Sequence, residues 1–237
     1  MKYELETIPV WDAYQSDSEC PLCLLMKKAE EEYVDFFLGN SVMVPEMRVE
    51  VNKTGFCRSH FHALFHRGEQ RQHLGLLTHT RFNQLREEME KVLSSVKRKS
   101  RGRGNRISNP LRKELSQCMI CQRLEKRQKR YSFTIVYNWK KDPEFRETFA
   151  ASRGFCLPHL ADIYEMAGEV LKGETLTEWQ EETAGIQRKS MDRVEEEIHW
   201  YTQKFEFGNR DKPWGSSKDA LQRGIQKMTG RFPDKES

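Results

Sequence analysis

A chain of 237 residues, 37% hydrophobic and 32% charged, can bury a core and still solvate much of its surface, as helix-rich soluble proteins do. A net charge of +4 is too small to mark a nucleic-acid binder by itself, and no apolar run approaches the ~20 residues of a membrane-spanning helix. Met1 to Asp12 lacks the charged-then-apolar layout of a secretory signal, because Glu4, Glu6 and Thr7 interrupt it. The expected setting is therefore cytoplasmic, where thiols stay reduced, and six cysteines ask for an explanation other than disulfides.

In chain order, the first predicted helix runs from Cys20 to Leu38, free of Gly and Pro after Pro21 and ended by Gly39-Asn40. Asn40 to Thr54, with Pro45, reads as an irregular return segment. A helix is predicted from Phe56 to His66. A longer one runs from Gln72 to Val96, with Leu74, Leu77, Phe82, Leu85, Met89, Val92 and Val96 at helical spacing. Lys97 to Arg106 holds six Lys or Arg in ten residues, with Gly102 and Gly104 among them. Like charge and glycine make it a flexible linker.

The order then recurs: a helix from Cys121 to Trp139, a short one opened by Pro143, one from Phe155 to Ala167, and a long one from Thr175 to Phe207. Gly208 to Gly215 forms a turn-rich connector. A terminal helix follows, capped by Ser216 or Ser217, with Leu221, Ile225 and Met228 on one face. Almost nothing alternates with period two, so the fold class is all-α. The expected organisation is a first zinc-binding helical repeat at 1–96, a basic linker at 97–110, a second repeat at 111–207, and a connector with a short latch helix at 208–237.

The cysteines carry the repeat. Cys20-Pro21-Leu22-Cys23 and Cys118-Met119-Ile120-Cys121 are offset by 98 residues. Gly55-Phe56-Cys57-Arg58-Ser59-His60 and Gly154-Phe155-Cys156-Leu157-Pro158-His159 are offset by 99. Tyr33 and Tyr131 match at the first offset, and Phe61–Phe65 correspond to Leu160–Tyr164 at the second. No cysteine is left over. Such self-similarity reads as a duplication.

Zinc takes four soft or borderline donors in a tetrahedron, and a C-x2-C pair converges on one ion locally. A C-x2-H pair at a helix start does the same, since positions i and i+3 share a face. The helix dipole and free amides there favour thiolates. Gly55 and Gly154 allow the tight turn that delivers Cys57 and Cys156. Each half is thus expected to close its own Cys3His site: Cys20, Cys23, Cys57 and His60 in the first, Cys118, Cys121, Cys156 and His159 in the second. Two zinc ions are implied, and losing one should loosen a whole half.

Other chemistries use some of the same residue types. His62 and His66, spaced i, i+4, can pair on a further metal but have no counterpart in the second half. Buried structural cysteines do not explain two matched quartets. An iron–sulfur cluster uses similar ligands. Thioredoxin-like redox chemistry at the CxxC pairs wants a βαβ context that is absent. The carboxylate runs Glu87-Glu88-Glu90 and Glu195-Glu196-Glu197 read as solvated helix faces, and Phe133, Tyr137 and Trp139 as core. No P-loop, GxGxxG, HExxH or serine elbow occurs, and no catalytic residue is assigned. Asp211 to Ser217 reads as a docking latch, with Trp214 plugged into the body and Ser217 capping the last helix, or as an anion site at a helix start.

The opening Tyr3 to Trp11, the CPLC motif, Gly39 to Met43 with Pro45 and Arg48–Asn52, both GFCxxH motifs, and the ending Arg210–Gly215 with Lys218–Ala220 resemble an uncharacterised bacterial family. It is carried as a domain of unknown function, and some members are labelled ABC-transporter substrate-binding proteins. The resemblance spans nearly the whole chain and implies no activity, since the family has none established. The two-lobed α/β pattern of such receptors is not in this sequence. The reading is therefore a zinc-stabilised helical protein that binds or scaffolds another protein without catalysis, off the membrane. An iron–sulfur or thiol redox protein using the same quartets is the alternative, and polyanion or nucleic-acid binding through the basic linker a third.

Overall fold

Four of the helices start where the cysteine motifs are, and this sets the architecture. The computed structural model describes residues 6–39, 44–68, 71–94 and 105–230, and among them there are eleven α-helices and no strand. They are α1 (Thr7–Gln15), α2 (Pro21–Leu38), α3 (Pro45–Thr54), α4 (Arg58–His66), α5 (Arg71–Ser94), α6 (Asn105–Leu115), α7 (Met119–Lys141), α8 (Pro143–Ala150), α9 (Leu157–Val170), α10 (Gly173–Gln203) and α11 (Ala220–Thr229). No helix of the described residues is long and apolar enough to cross a membrane.

Local chemistry explains the starts. Pro21, Pro45 and Pro143 open α2, α3 and α8, where a missing N–H costs nothing and φ is already helical. Asp142 caps α8, accepting from the Glu144 and Phe145 amides at 3.0 and 3.2 Å. Gly55 and Gly154 turn the chain into α4 and α9 at φ of 64° and 71°, as their place before the cysteines predicts.

Two compact units divide the chain. One comprises the described residues up to Lys27 and from Arg127 on; the other runs from Lys28 to Lys126. α2 and α7 each contribute residues to both. The first unit buries Trp179, Phe145, Phe149, Phe155 and Ile135. Tyr14 and Trp11 of α1 meet Phe145 edge-on at ring separations of 5.0 and 5.2 Å. In α10, Trp179, Thr183, Gln187, Ser190 and Val194 form the buried stripe at helical spacing. The second unit packs Val34, Phe37, Val51, Phe56, Leu64, Leu74, Leu77 and Ile120 into one cluster.

Several expectations are corrected. The segment read as irregular, 40–54, contains the ten-residue helix α3. Linker residues 97–104, like Val96, lie outside the described residues, but α6 begins at Asn105, inside the expected linker. Arg112 and Lys113 in its last turn complement the negative helix end. Its Glu114 accepts from the buried Arg81 guanidinium at 2.5 Å. Arg81 in turn takes the core position one turn beyond Leu77, so the apolar stripe of α5 is used only in its first turns. Phe82 and Met89 are exposed.

α11 inverts its expected face. Leu221 and Met228 are exposed, whereas Arg223, Gln226 and Lys227 are buried. The physical reason is an ion cluster beneath the helix. Glu19 accepts from Arg193 at 2.7 Å and lies 3.2 Å from Arg153, 3.4 Å from Lys227 and 3.5 Å from Arg223. Glu197, expected on a solvated face, pairs with Arg193 at 3.0 Å and with Arg223. Asp219 and Asp17 complete four carboxylates against four cations. Burial works against the Glu19 charge, but the bond from Arg193 and the charges of Lys227, Arg193 and Arg153 hold its carboxyl below the usual range.

A carboxyl so lowered adds stability above its unfolded pKa and loses it as pH falls through the folded value. Replacing Glu19 with Gln leaves four cations facing three carboxylates. The expected cost is about 3–5 kcal/mol at neutral pH, read as a lower denaturation midpoint with unchanged slope.

The connector before α11 is held less by Trp214 than expected. That ring is half-buried, lying against Tyr201 and Phe205 at the end of α10, with ring centroids 5.6 and 6.3 Å apart. The stronger tie is Lys204, whose Nζ donates to the carbonyls of Asn209, Arg210 and Lys212 at 2.7, 2.8 and 2.5 Å. Ser217 is buried in a 3-10 turn and caps no helix; Asp219 precedes α11, also without a side-chain cap.

Candidate metal centres

All four cysteine motifs have the same local form. Cys20 and Cys118 immediately precede α2 and α7, and Cys57 and Cys156 are the N-cap residues of α4 and α9. In each case the second ligand candidate lies three residues on, one turn into the helix: Cys23, Cys121, His60 and His159. A cysteine thus stands where Ser or Asp usually caps a helix, at the positive end of the dipole and facing free amides. The Cys121 amide lies 3.5 Å from Cys118 Sγ.

Two such helix starts converge at each centre, but not the expected two. Cys20 and Cys23 meet Cys156 and His159 (site A); Cys57 and His60 meet Cys118 and Cys121 (site B). Each quartet has its donor atoms within 4.8 Å of one another and could hold a metal ion. The foursomes Cys20/Cys23/Cys57/His60 and Cys118/Cys121/Cys156/His159 are not assembled.

Two helices separate the first CxxC from the CxxH that follows it in sequence. α2, at 18 residues, carries the chain about 27 Å away from Cys20. The segment expected to bring it back is largely helical, and the ten residues of α3 advance only about 15 Å. Each CxxC takes the CxxH of the other motif copy.

In site A, Cys20 Sγ lies 3.8 Å from Cys156 Sγ and 3.4 Å from His159 Nδ1. Cys23 Sγ lies 3.6 Å from Cys156 Sγ and 3.4 Å from His159 Nδ1. In site B, Cys57 and Cys121 are 3.8 Å apart, and His60 Nδ1 is 3.2 Å from Cys57, 3.2 Å from Cys118 and 3.3 Å from Cys121. The six thiols are free, and the sulfur separations are far beyond the ~2.05 Å of a disulfide.

The surroundings differ. Cys20 and Cys156 have no exposure, and Cys23 is half-buried. In site B, His60 and Cys118 are buried, Cys57 is half-buried and Cys121 exposed. Site B has a carboxylate behind its histidine, with Glu30 Oε1 3.0 Å from His60 Nε2. Such a partner fixes the tautomer that leaves Nδ1 free for a metal. Sequence reading missed Glu30, which stands in the run Glu30-Glu31-Glu32 with nothing to single it out. Gln187 was missed as well. Its amide both accepts from the Phe155 N–H and donates to the Phe155 carbonyl, each at 3.0 Å, and so fixes the turn that presents Cys156.

Protons are shared unevenly within each quartet. Burial opposes a charge on His60, yet bonds with Cys118 and Glu30 and the thiolate charges raise its pKa to about 10. Burial would raise Cys118, but His60 and neighbouring amides bring it down to about 6. Cys121 is raised to about 12 by burial and by Cys118. In site A, hydrogen bonds from Cys20 and Cys23 hold the Cys156 thiol well below its usual range, burial drives Cys20 up, and His159, despite burial, rises to about 10 beside Cys156 and Cys23. Each metal-free centre is thus a thiolate–imidazolium pair with a further protonated thiol.

His62 and His66 belong to neither quartet. They are exposed on α4, with ring centroids 4.1 Å apart. No curated protein and no solved structure matches the chain. The family of unknown function DUF6062 matches residues 1–235, and with nearly its whole length so covered the chain belongs to that family.

Proposed function

We propose that each quartet binds one zinc ion, that both ions serve the fold, and that the protein acts as a non-catalytic binding or scaffolding module for another protein. The observation that carries this is the spacing of the donors. A single ion with sulfur at ~2.3 Å and nitrogen at ~2.0 Å sets tetrahedral edges of about 3.8 Å between sulfurs and about 3.5 Å between sulfur and nitrogen. The separations of 3.6–3.8 Å and 3.2–3.4 Å follow those edges. An iron–sulfur cluster spreads its ligands over several metal atoms and needs them farther apart.

Three thiolates and one imidazole leave Zn2+ with a net charge of −1, and two helix N-termini of about +0.5 each offset it. Four protein donors leave no position for substrate or water, which favours a structural role.

Elemental analysis of the purified protein tests the reading. The expected result is two zinc per chain and a colourless solution; iron, sulfide and visible absorbance would end it. Glu30→Ala is expected to weaken site B alone, by about 10–100-fold in metal affinity, with Glu30→Gln losing less because it keeps an acceptor. Competition titration against a chelator of known affinity measures both.

A further inference from the structure

The two centres share one donor set and differ in how they are covered. Over site A lies the end of α11. The Gly230 carbonyl oxygen is 3.2 Å from Cys23 Sγ, and a methyl group on Gly230 would stand 3.3 Å from Cys156 Sγ. Lys227, with its side chain 1% exposed, donates to the Glu19 carbonyl at 2.7 Å and to the Arg153 carbonyl at 2.5 Å. Those two residues lead into Cys20 and into the Gly154-Phe155-Cys156 turn, so one ammonium fastens the helix to both arms of the centre. In site B, Cys121 is exposed and Cys57 half-buried, whereas among the cysteines of site A only Cys23 is half-buried and none is exposed.

Replacing one ligand on a four-coordinate ion requires an incoming donor to reach it. Two fully buried thiols and a half-buried one beneath a fastened helix hinder that approach, and an exposed ligand residue grants it. Resting on the zinc reading above, we infer that site B is an exchange site, able to give its ion to, or take it from, a small thiol, a chelator or a partner's thiolate, while site A keeps its own. Cys121 is the ligand displaced. Its sulfur would leave the ion as the incoming donor binds, and the released thiolate would take up the proton that an incoming thiol gives to solvent; nothing would be oxidised.

Mixing the zinc-loaded full chain with excess 4-(2-pyridylazo)resorcinol reads the release directly. Two phases of one equivalent each are expected, the second at least about tenfold slower because site A opens only when α11 lifts. Lys227→Ala should accelerate the slow phase and leave the fast one unchanged. Brief alkylation of the unmutated, zinc-loaded chain with N-ethylmaleimide should mark Cys121 and Cys57 before Cys20 and Cys156, as mapped by peptide mass spectrometry. Release of both equivalents in one phase, or earlier labelling of Cys20 and Cys156, overturns the assignment and leaves the zinc reading standing. A chain that takes up no zinc ends both.

Discussion

Cys20→Ala combined with Cys156→Ala is expected to leave one zinc bound, whereas Cys20→Ala combined with Cys57→Ala is expected to leave none. The first pair removes two ligands from one centre, since both sulfurs belong to site A; the second takes one ligand from each. Had each motif copy closed on itself, the two outcomes would be reversed. The measurement is zinc per folded chain after gel filtration. Because both variants lose the same number of thiols, a general loss of stability does not mimic the contrast.

Removing both ions is expected to unfold the protein or leave it without fixed packing. Structural zinc contributes apparent binding free energies of about 10–16 kcal/mol at neutral pH, as large as the ~5–15 kcal/mol net stability of a typical domain. Circular dichroism and amide exchange with and without a strong chelator would register the change, and an unaltered spectrum would contradict the structural role.

Acid should act in the same direction. His60 and His159 hold protons to about pH 10 in the metal-free centres, Cys121 to about 12, and Cys20 is raised as well. A metal must expel these protons, at least two per centre. Affinity should therefore rise about 100-fold per pH unit through neutrality and fall as steeply on acidification.

The helical class and the eight side chains that cluster were legible in the sequence, because CxxC and CxxH are local patterns fixed by one helical turn. Their partnership was not. Either CxxC is chemically suited to either CxxH, and nothing in the local patterns chooses between them. Helix α3 was not legible either, because it is short and Pro45 reads as a breaker as readily as a helix start.

The face of α11 was misread for a related reason. An amphipathic pattern identifies the apolar side, but Glu19 and Glu197 lie far away in sequence, and only the fold shows that the charged side faces them. The spacing of Arg223 and Lys227, one turn apart, was the available signal, and it is shared by countless solvated helices.

The exchanged pairing also bears on synthesis. Cys23 leaves the ribosome 133 residues ahead of Cys156, an interval of roughly 7–27 s at usual elongation rates. Throughout that time the nearest complementary motif is Cys57 and His60, which emerges far sooner and offers the same donors. A nascent chain that captures metal there closes the wrong loop, and it must release the ion before the native partners can meet. Supplying zinc only after the chain is complete should therefore raise the yield of native protein over supplying it during translation.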